Sequence, residues 1–394
     1  MGIYSRVFFL IILLILTAFM IINPRETVAA ATMGGKLWLT VLLPALLPFF
    51  IVAELLVSLG FVKFLGVVLE PIMRPLFRLP GCSSLVVAMG FTSGFPIGAV
   101  LSRKLYDEKL LNADETERLV SFTNNSSPLF ILGAVGIGMF SSPVVGYILA
   151  LSHYLSNFLL GIIWGFKASS SSKIKIRQEK SLWHDACQAF LEHSNPRSIG
   201  LLLADAIKNS LNNILAIAGF VIIFSVLTRM LSLWGIIDGI ASLLCSLFSA
   251  FSLPYPVAYG LGMGMFEMTL GCRTTALAPQ DDLFYKLLAI SAILAFSGFS
   301  VIAQVMGVMA GSPVRLSFYL TSRLIQTILS LIITTVTYKI IVAPRLAVEA
   351  LSIPYYKALY SFNAWQISLT CLAIGLAVIL VMICISLYWK INQL

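Results

Sequence analysis

The chain has 394 residues, 59% of them hydrophobic and only 11% charged. A soluble domain of this length needs far more charge, so composition excludes one and indicates an all-α polytopic membrane protein. The net charge of +9 does not point to nucleic acid, because the basic residues are scattered among loops rather than striped on one face; they follow the positive-inside pattern of membrane proteins.

The first apolar run covers 7–22 and is followed by "TVAAA", a small-residue stretch that a cleaved signal peptide would also show. Only Arg6 precedes the run, which favours an uncleaved helix, so 1–36 reads as an N-terminal transmembrane helix and outer loop. Residues 37–166 read as a first unit. It has a span at 37–59, an interfacial stretch at 60–79 carrying Lys63, Glu70 and Arg74, a glycine-rich segment at 81–104, and spans at 119–140 and 144–166. The serine-rich, charged stretch 167–208 reads as a solvated cytoplasmic linker with a short helix. Its His184, Cys187 and His193 lack a fourth ligand, and the six cysteines form no CxxC pair, so neither a metal nor a cofactor is implied.

The second unit, 209–338, repeats this order: a span at 209–228, an interfacial stretch at 230–250, a glycine-rich segment at 254–279, and spans at 284–306 and 316–338. Residues 339–394 add an outer interfacial segment and a last span at 364–388. About eight spans of about 20 residues each result. With both termini inside, inner segments carry 17 of the basic residues and outer segments 7. That asymmetry supports cytoplasmic N- and C-termini.

Shifting the chain by 170 residues lays "AMGFTSG" (88–94) on "AYGLGMG" (258–264) and the terminal Ser-Pro of 121–143 on that of 291–313, without gaps. Each unit has three crossings, and an odd number forces the second to insert upside down. Two inverted repeats with a site near the midplane are the expectation. The segments 81–104 and 254–279 then enter and leave on one side as re-entrant hairpins, tolerated where backbone is buried in protein or lines a cavity.

Three groups could carry the chemistry. Thr92 and Ser93 stand at the first hairpin tip between Gly90 and Gly94, where exposed N–H groups favour anions. Asn124, Asn125, Ser126 and Ser127 lie inside an apolar span, followed by Pro128, which removes a donor and strains the preceding turn. Such residues also glue helices together, but four in a row cover more than one face. Their counterparts keep one polar group, Ser297, from which Ser300 and Gln304 extend a stripe. The second hairpin holds Glu267, Cys272, Arg273, Thr274 and Thr275. Intramembrane Glu and Arg are functional candidates, and their bland reading is an ion pair that pins the hairpin. If unpaired, Arg273 could grip a carboxylate. His153 and Arg323, equivalent under the 170-residue shift, are second-tier candidates, and Glu54 reads as snorkelling or paired.

The stretch "GFTSGFPIGAVLSRKLYDEKLLNADETERLVSFTNNSSPLFILGAVGIGMF" (90–140) closely resembles the YlbJ-type sporulation integral membrane proteins of spore-forming Firmicutes, of the nucleoside-recognition (Gate) group. The resemblance extends over nearly the whole chain. It implies a protein of the outer forespore membrane, with termini on the mother-cell side, that moves dipicolinic acid (pyridine-2,6-dicarboxylate) toward the developing spore. Gate domains are similar in layout to concentrative nucleoside transporters, whose hairpin tips and unwound helices hold the ligand; the matching positions here are Thr92–Ser93 and Asn124–Ser127. Dipicolinate, a planar dianion, suits asparagine amides and an arginine. The implied partners are this small anion and membrane lipid, with a homo-oligomer or other sporulation membrane proteins left open. A nucleoside or other small-anion transporter and a non-transporting structural subunit of a spore membrane assembly are the alternatives. An enzyme is disfavoured, because no nucleophile triad, HExxH, Walker loop or dinucleotide fingerprint appears.

Overall fold

The computed structural model describes residues 3–167, 198–279 and 283–342, which are helical with no strand among them. Helix α1 (Ile3–Ile22) stops at Asn23, and Pro24 opens α2 (Pro24–Leu37), where its missing N–H is not needed. The chain bends by 107° at this joint. A π-helical turn (Trp38–Leu42) leads into α3 (Leu43–Ser58). The expected span 37–59 is therefore the later part of a longer helical stretch that Pro24 starts. Helix α4 (Phe61–Phe77) follows Gly60, whose φ of 79° makes the turn, and ends at Arg78.

Two short helices, α5 (Ser83–Ser93) and α6 (Ile97–Asp107), form the first hairpin-like pair. Helix α7 (Ala113–Thr123) opens with a capping box: Asn112 Oδ1 accepts from Glu115 N at 2.9 Å, and Glu115 Oε2 accepts from Asn112 N at 3.1 Å. After a non-helical stretch at 124–127 come the π-helical α8 (Leu129–Met139) and α9 (Pro143–Lys167). The expected single span 119–140 is thus broken, because Pro128 disfavours helix at the residue before it and lacks an N–H for the ladder.

Helix α10 (Ile199–Leu233) begins ten residues before the apolar run at 209, so part of the stretch read as linker is helical. Then follow α11 (Ile236–Leu247), α12 (Tyr255–Phe266), α13 (Met268–Ala276), α14 (Leu283–Phe296), α15 (Gly298–Val308) and α16 (Leu316–Thr337). Among the described residues four helices are long and apolar enough to cross a membrane, or five if the bent pair at Asn23 is one span. Eight spans were expected; of these, 364–388 lies outside the described residues, as do His184, Cys187 and His193. Element bounds recur at the 170-residue shift: the end of α4 at 77 falls on that of α11 at 247, and both ends of α8 (129 and 139) fall within one residue of those of α15 (298 and 308).

The largest apolar cluster joins Phe77, Leu101, Phe122 and Leu160 of the first unit to Ile214 and Val221 of α10. A second joins Ala99 and Val120 to Val301, Val305 and Tyr319, so α6 and α7 pack directly against α15 and α16. At the end of that contact the buried Glu117 accepts from Arg315 N at 2.8 Å and from its guanidinium at 2.9 and 2.6 Å. Glu54, read as snorkelling or paired, accepts from Lys104 Nζ at 2.6 Å.

The Arg315 side chain is 69% exposed, so solvent screens its pair with Glu117. Arg315→Ala should cost under about 1 kcal/mol. Glu117→Ala should cost about 1–3 kcal/mol, because it also strips the acceptor from a backbone N–H at the start of α16. Thermal melting of the two purified variants checks this; equal losses would contradict it.

Candidate functional site

The two arms of the first hairpin straddle the open C-terminal end of α7. A Cβ at Gly90 or at Gly98 would overlap the Thr123 carbonyl oxygen, so only glycine permits both approaches. Gly94, at φ +97°, makes the reversal, and a Cβ there would lie 2.9 Å from that of Ser127. The hairpin tip therefore seats on the break in α7–α8. Thr92 Oγ1 donates back to Ala88 O at 2.9 Å, whereas the buried Ser93 hydroxyl has no partner among the described residues.

The four polar residues of the break are not equivalent. Asn124 is fully buried and both its amide atoms are partnered: Oδ1 accepts from Ala99 N in the first turn of α6, and Nδ2 donates to Val120 O of α7, both at 2.9 Å. One amide thus satisfies a loose N–H and a loose carbonyl of two helix ends. Asn125 donates to Phe122 O at 3.3 Å, but its Oδ1, equally buried, meets no donor among the described residues. Ser126 N donates to His153 Nε2 at 3.1 Å, Ser126 O accepts from Tyr154 OH at 2.8 Å, and Ser126 Oγ donates to Met268 Sδ at 3.4 Å. Because Nε2 of His153 accepts, a neutral ring carries its proton on Nδ1, which is buried without a partner among the described residues. Ser127 Oγ accepts from Phe130 N at 3.2 Å and caps the first turn of α8.

The second hairpin approaches from the other side. Glu267 separates α12 from α13, is 5% exposed, and caps α13 through a 2.7 Å bond from Leu270 N to Oε2. No ion pair joins it to Arg273, which is exposed on α13 with no hydrogen-bond or ion-pair partner among the described residues. The internal ion pair weighed for these two residues is therefore not formed. Thr274 Oγ1 donates to Met263 Sδ at 3.4 Å, and the buried Thr275 hydroxyl has no partner among the described residues.

Ser297 and Gly298, both at φ +73°, make a shorter break between α14 and α15. A Cβ at Gly298 would lie 2.8 Å from Gly264 O and 3.3 Å from Met268 N, so the second hairpin seats on the second break as the first does on its own. Ser297 and Gln304 are buried, and Gln304 Nε2 donates to Ser300 Oγ at 3.4 Å. Met268 touches both breaks, which draws Thr92–Ser93, Asn124–Ser127, Glu267 and Ser297 into one region. Arg273 is not among them.

The cation of this region is Arg323, in mid-α16, at 0% exposure. Its Nη1 donates to Asn124 O at 3.2 Å, and Nη2 donates to Ser121 O and, at 3.4 Å, to Asn157 Oδ1. Its guanidinium carbon lies 5.1 Å from the centre of the Tyr319 ring. Neither Asn157 nor Gln326 stands out in the sequence, yet a signal was available: Ser322, Arg323, Gln326, Ser330, Thr334 and Thr337 form the buried face of α16 at helical spacing. Ser330 and Thr334 bond to Ser291 of α14 at 2.7 Å, while both amide atoms of Gln326 lack partners among the described residues.

With this geometry in place, comparison with known proteins gives a consistent result. Residues 39–167 match a family model described as "Gate: Nucleoside recognition". The sporulation integral membrane protein YlbJ of Bacillus subtilis (strain 168) is 38% identical over 333 residues, covering 83% of this chain and 81% of that protein. An uncharacterized protein of Alkalihalophilus pseudofirmus is 38% identical over 71 residues, 17% of this chain and 15% of that protein. The chain belongs to the YlbJ-type family of sporulation integral membrane proteins and carries a Gate nucleoside-recognition domain.

Proposed function

We propose that the protein is a membrane transporter that moves dipicolinate across the outer forespore membrane during endospore formation. The observation that carries this reading is the break at Asn124–Ser127: four consecutive polar residues, the first three buried in an apolar bundle, on which both hairpin tips converge. A scaffold needs helix caps there, and Asn124 serves as one. It does not need Ser93 Oγ, Asn125 Oδ1 and His153 Nδ1 buried with unused hydrogen-bonding capacity. The relative's sporulation role and the resemblance read in the sequence supply the setting and the substrate.

We read the two units as inverted repeats within an eight-span protein whose termini face the mother cell. The recurrence of element bounds at one shift and the 17-to-7 charge asymmetry support this arrangement. Cysteines placed in 167–200 should be labelled from the cytoplasmic side and one placed at 279 from the opposite side. Labelling of 167–200 from the far face would contradict the inverted arrangement.

A nucleoside is the second reading, favoured by the description of the family model that matches residues 39–167. Vesicles with and without the purified protein separate the two. Uptake of labelled dipicolinate that uridine does not compete supports the first; uptake of uridine alone supports the second.

A further inference from the structure

We infer that Arg323 sets the charge preference of the site, its guanidinium meeting a carboxylate of the substrate at the break between α7 and α8. This rests on the transport reading above and names the residue that makes it selective for an anion.

A charge in the interior of a membrane protein is costly unless something neutralises it. Among the described residues no carboxylate pairs with Arg323. Dipoles surround it instead: the carbonyls of Ser121 and Asn124 at the negative end of α7, the Asn157 amide oxygen and the face of Tyr319. Dipoles lower the energy of the cation and leave its charge in place. Its Nε–H is buried without an acceptor among the described residues. The same elements hold more buried groups without partners among the described residues: both amide atoms of Gln326 one turn further along α16, the Tyr319 hydroxyl, His153 Nδ1 and Asn125 Oδ1. The Arg323 Nε–H, the Gln326 Nε2 and the Tyr319 hydroxyl are free to donate, and donors beside an uncompensated cation suit a carboxylate. Glu267 does not fill this role, since its carboxylate caps α13. A neutral nucleoside would leave the charge as it is.

The competing possibility is that Arg323 only staples the open end of α7. Gln326→Glu separates the two, because it puts a carboxylate one turn from Arg323 and leaves the staple intact. Dipicolinate uptake by vesicles carrying Gln326→Glu should fall by about tenfold or more, with no loss of melting temperature. Uptake at the wild-type rate by that folded variant overturns the inference. If the variant does not accumulate, the wild-type protein and Arg323→Lys decide. Benzene-1,3-dicarboxylate should compete with dipicolinate in both, and the uncharged pyridine-2,6-dimethanol in neither. Equal competition by the diol overturns the inference. Wild-type vesicles that take up no dipicolinate at all overturn the transport reading first, and the inference with it.

Discussion

Asn124→Ala should strip most of the protein from the membrane, whereas Asn125→Ala should accumulate normally and fail to transport. The two side chains are neighbours of one chemical type, and both are fully buried. Their bonding differs. Asn124 closes two helix ends at once, with 2.9 Å bonds to Ala99 N and Val120 O. Alanine there leaves a buried donor and a buried acceptor unsatisfied, at about 1–3 kcal/mol each, so a loss of about 2–6 kcal/mol is expected. Folded proteins carry a margin of only about 5–15 kcal/mol. Asn125 makes one long bond of 3.3 Å and keeps a free Oδ1, so its removal disturbs little of the fold and takes away a group available to ligand. Immunoblots of membrane fractions and vesicle uptake, run side by side, check both halves. Loss of the Asn125 variant from the membrane, or normal transport by it, would contradict this division of roles.

Gly98→Ala should be nearly as damaging, although it adds a single methyl group. The added carbon would overlap the Thr123 carbonyl oxygen, which is main chain and cannot swing aside as a flexible side chain would. Relief requires moving α6 away from α7, which would strain the Asn124 bond to Ala99 N. Overpacking in well-packed interiors costs about 1–3 kcal/mol, and a backbone clash belongs at or above the top of that range. Gly219→Ala is the matched control: the position is in mid-α10, and no described atom outside its own helix backbone lies within 4 Å of the added carbon. There alanine should be neutral or stabilising by up to about 1 kcal/mol. Melting temperatures of the two purified variants test the contrast, and similar values would contradict it.

Much of this site is legible in the sequence because hydrocarbon is intolerant of unpaired polar groups. Four polar residues before a proline in an apolar run announce the break at 124–127, and a glycine-rich segment interrupted by Gly94 and Pro96 announces the hairpin that seats on it. The 170-residue shift locates the second set of elements to within a few residues. The two arginines are less legible. Arg273 sits on a nine-residue helix, too short to show which face is buried, and it is exposed. Arg323 lies on a 22-residue helix whose polar residues recur at helical spacing, and that periodicity marks its inward face. The early start of α10 escapes a hydropathy reading because Asp205 and Lys208 interrupt its first turns. The joint at Asn23–Pro24 escapes one because α2, with Arg25, Glu26 and Lys36, is far less apolar than the run at 7–22.

Calorimetric titration of the purified protein with dipicolinate tests most directly whether the substrate binds at the break. Wild-type protein should bind, and Asn125→Ala should bind about ten- to a hundredfold more weakly, the equivalent of about 1–3 kcal/mol, with an unchanged melting temperature. Equal affinity in the two folded proteins would contradict a substrate site at Asn124–Ser127.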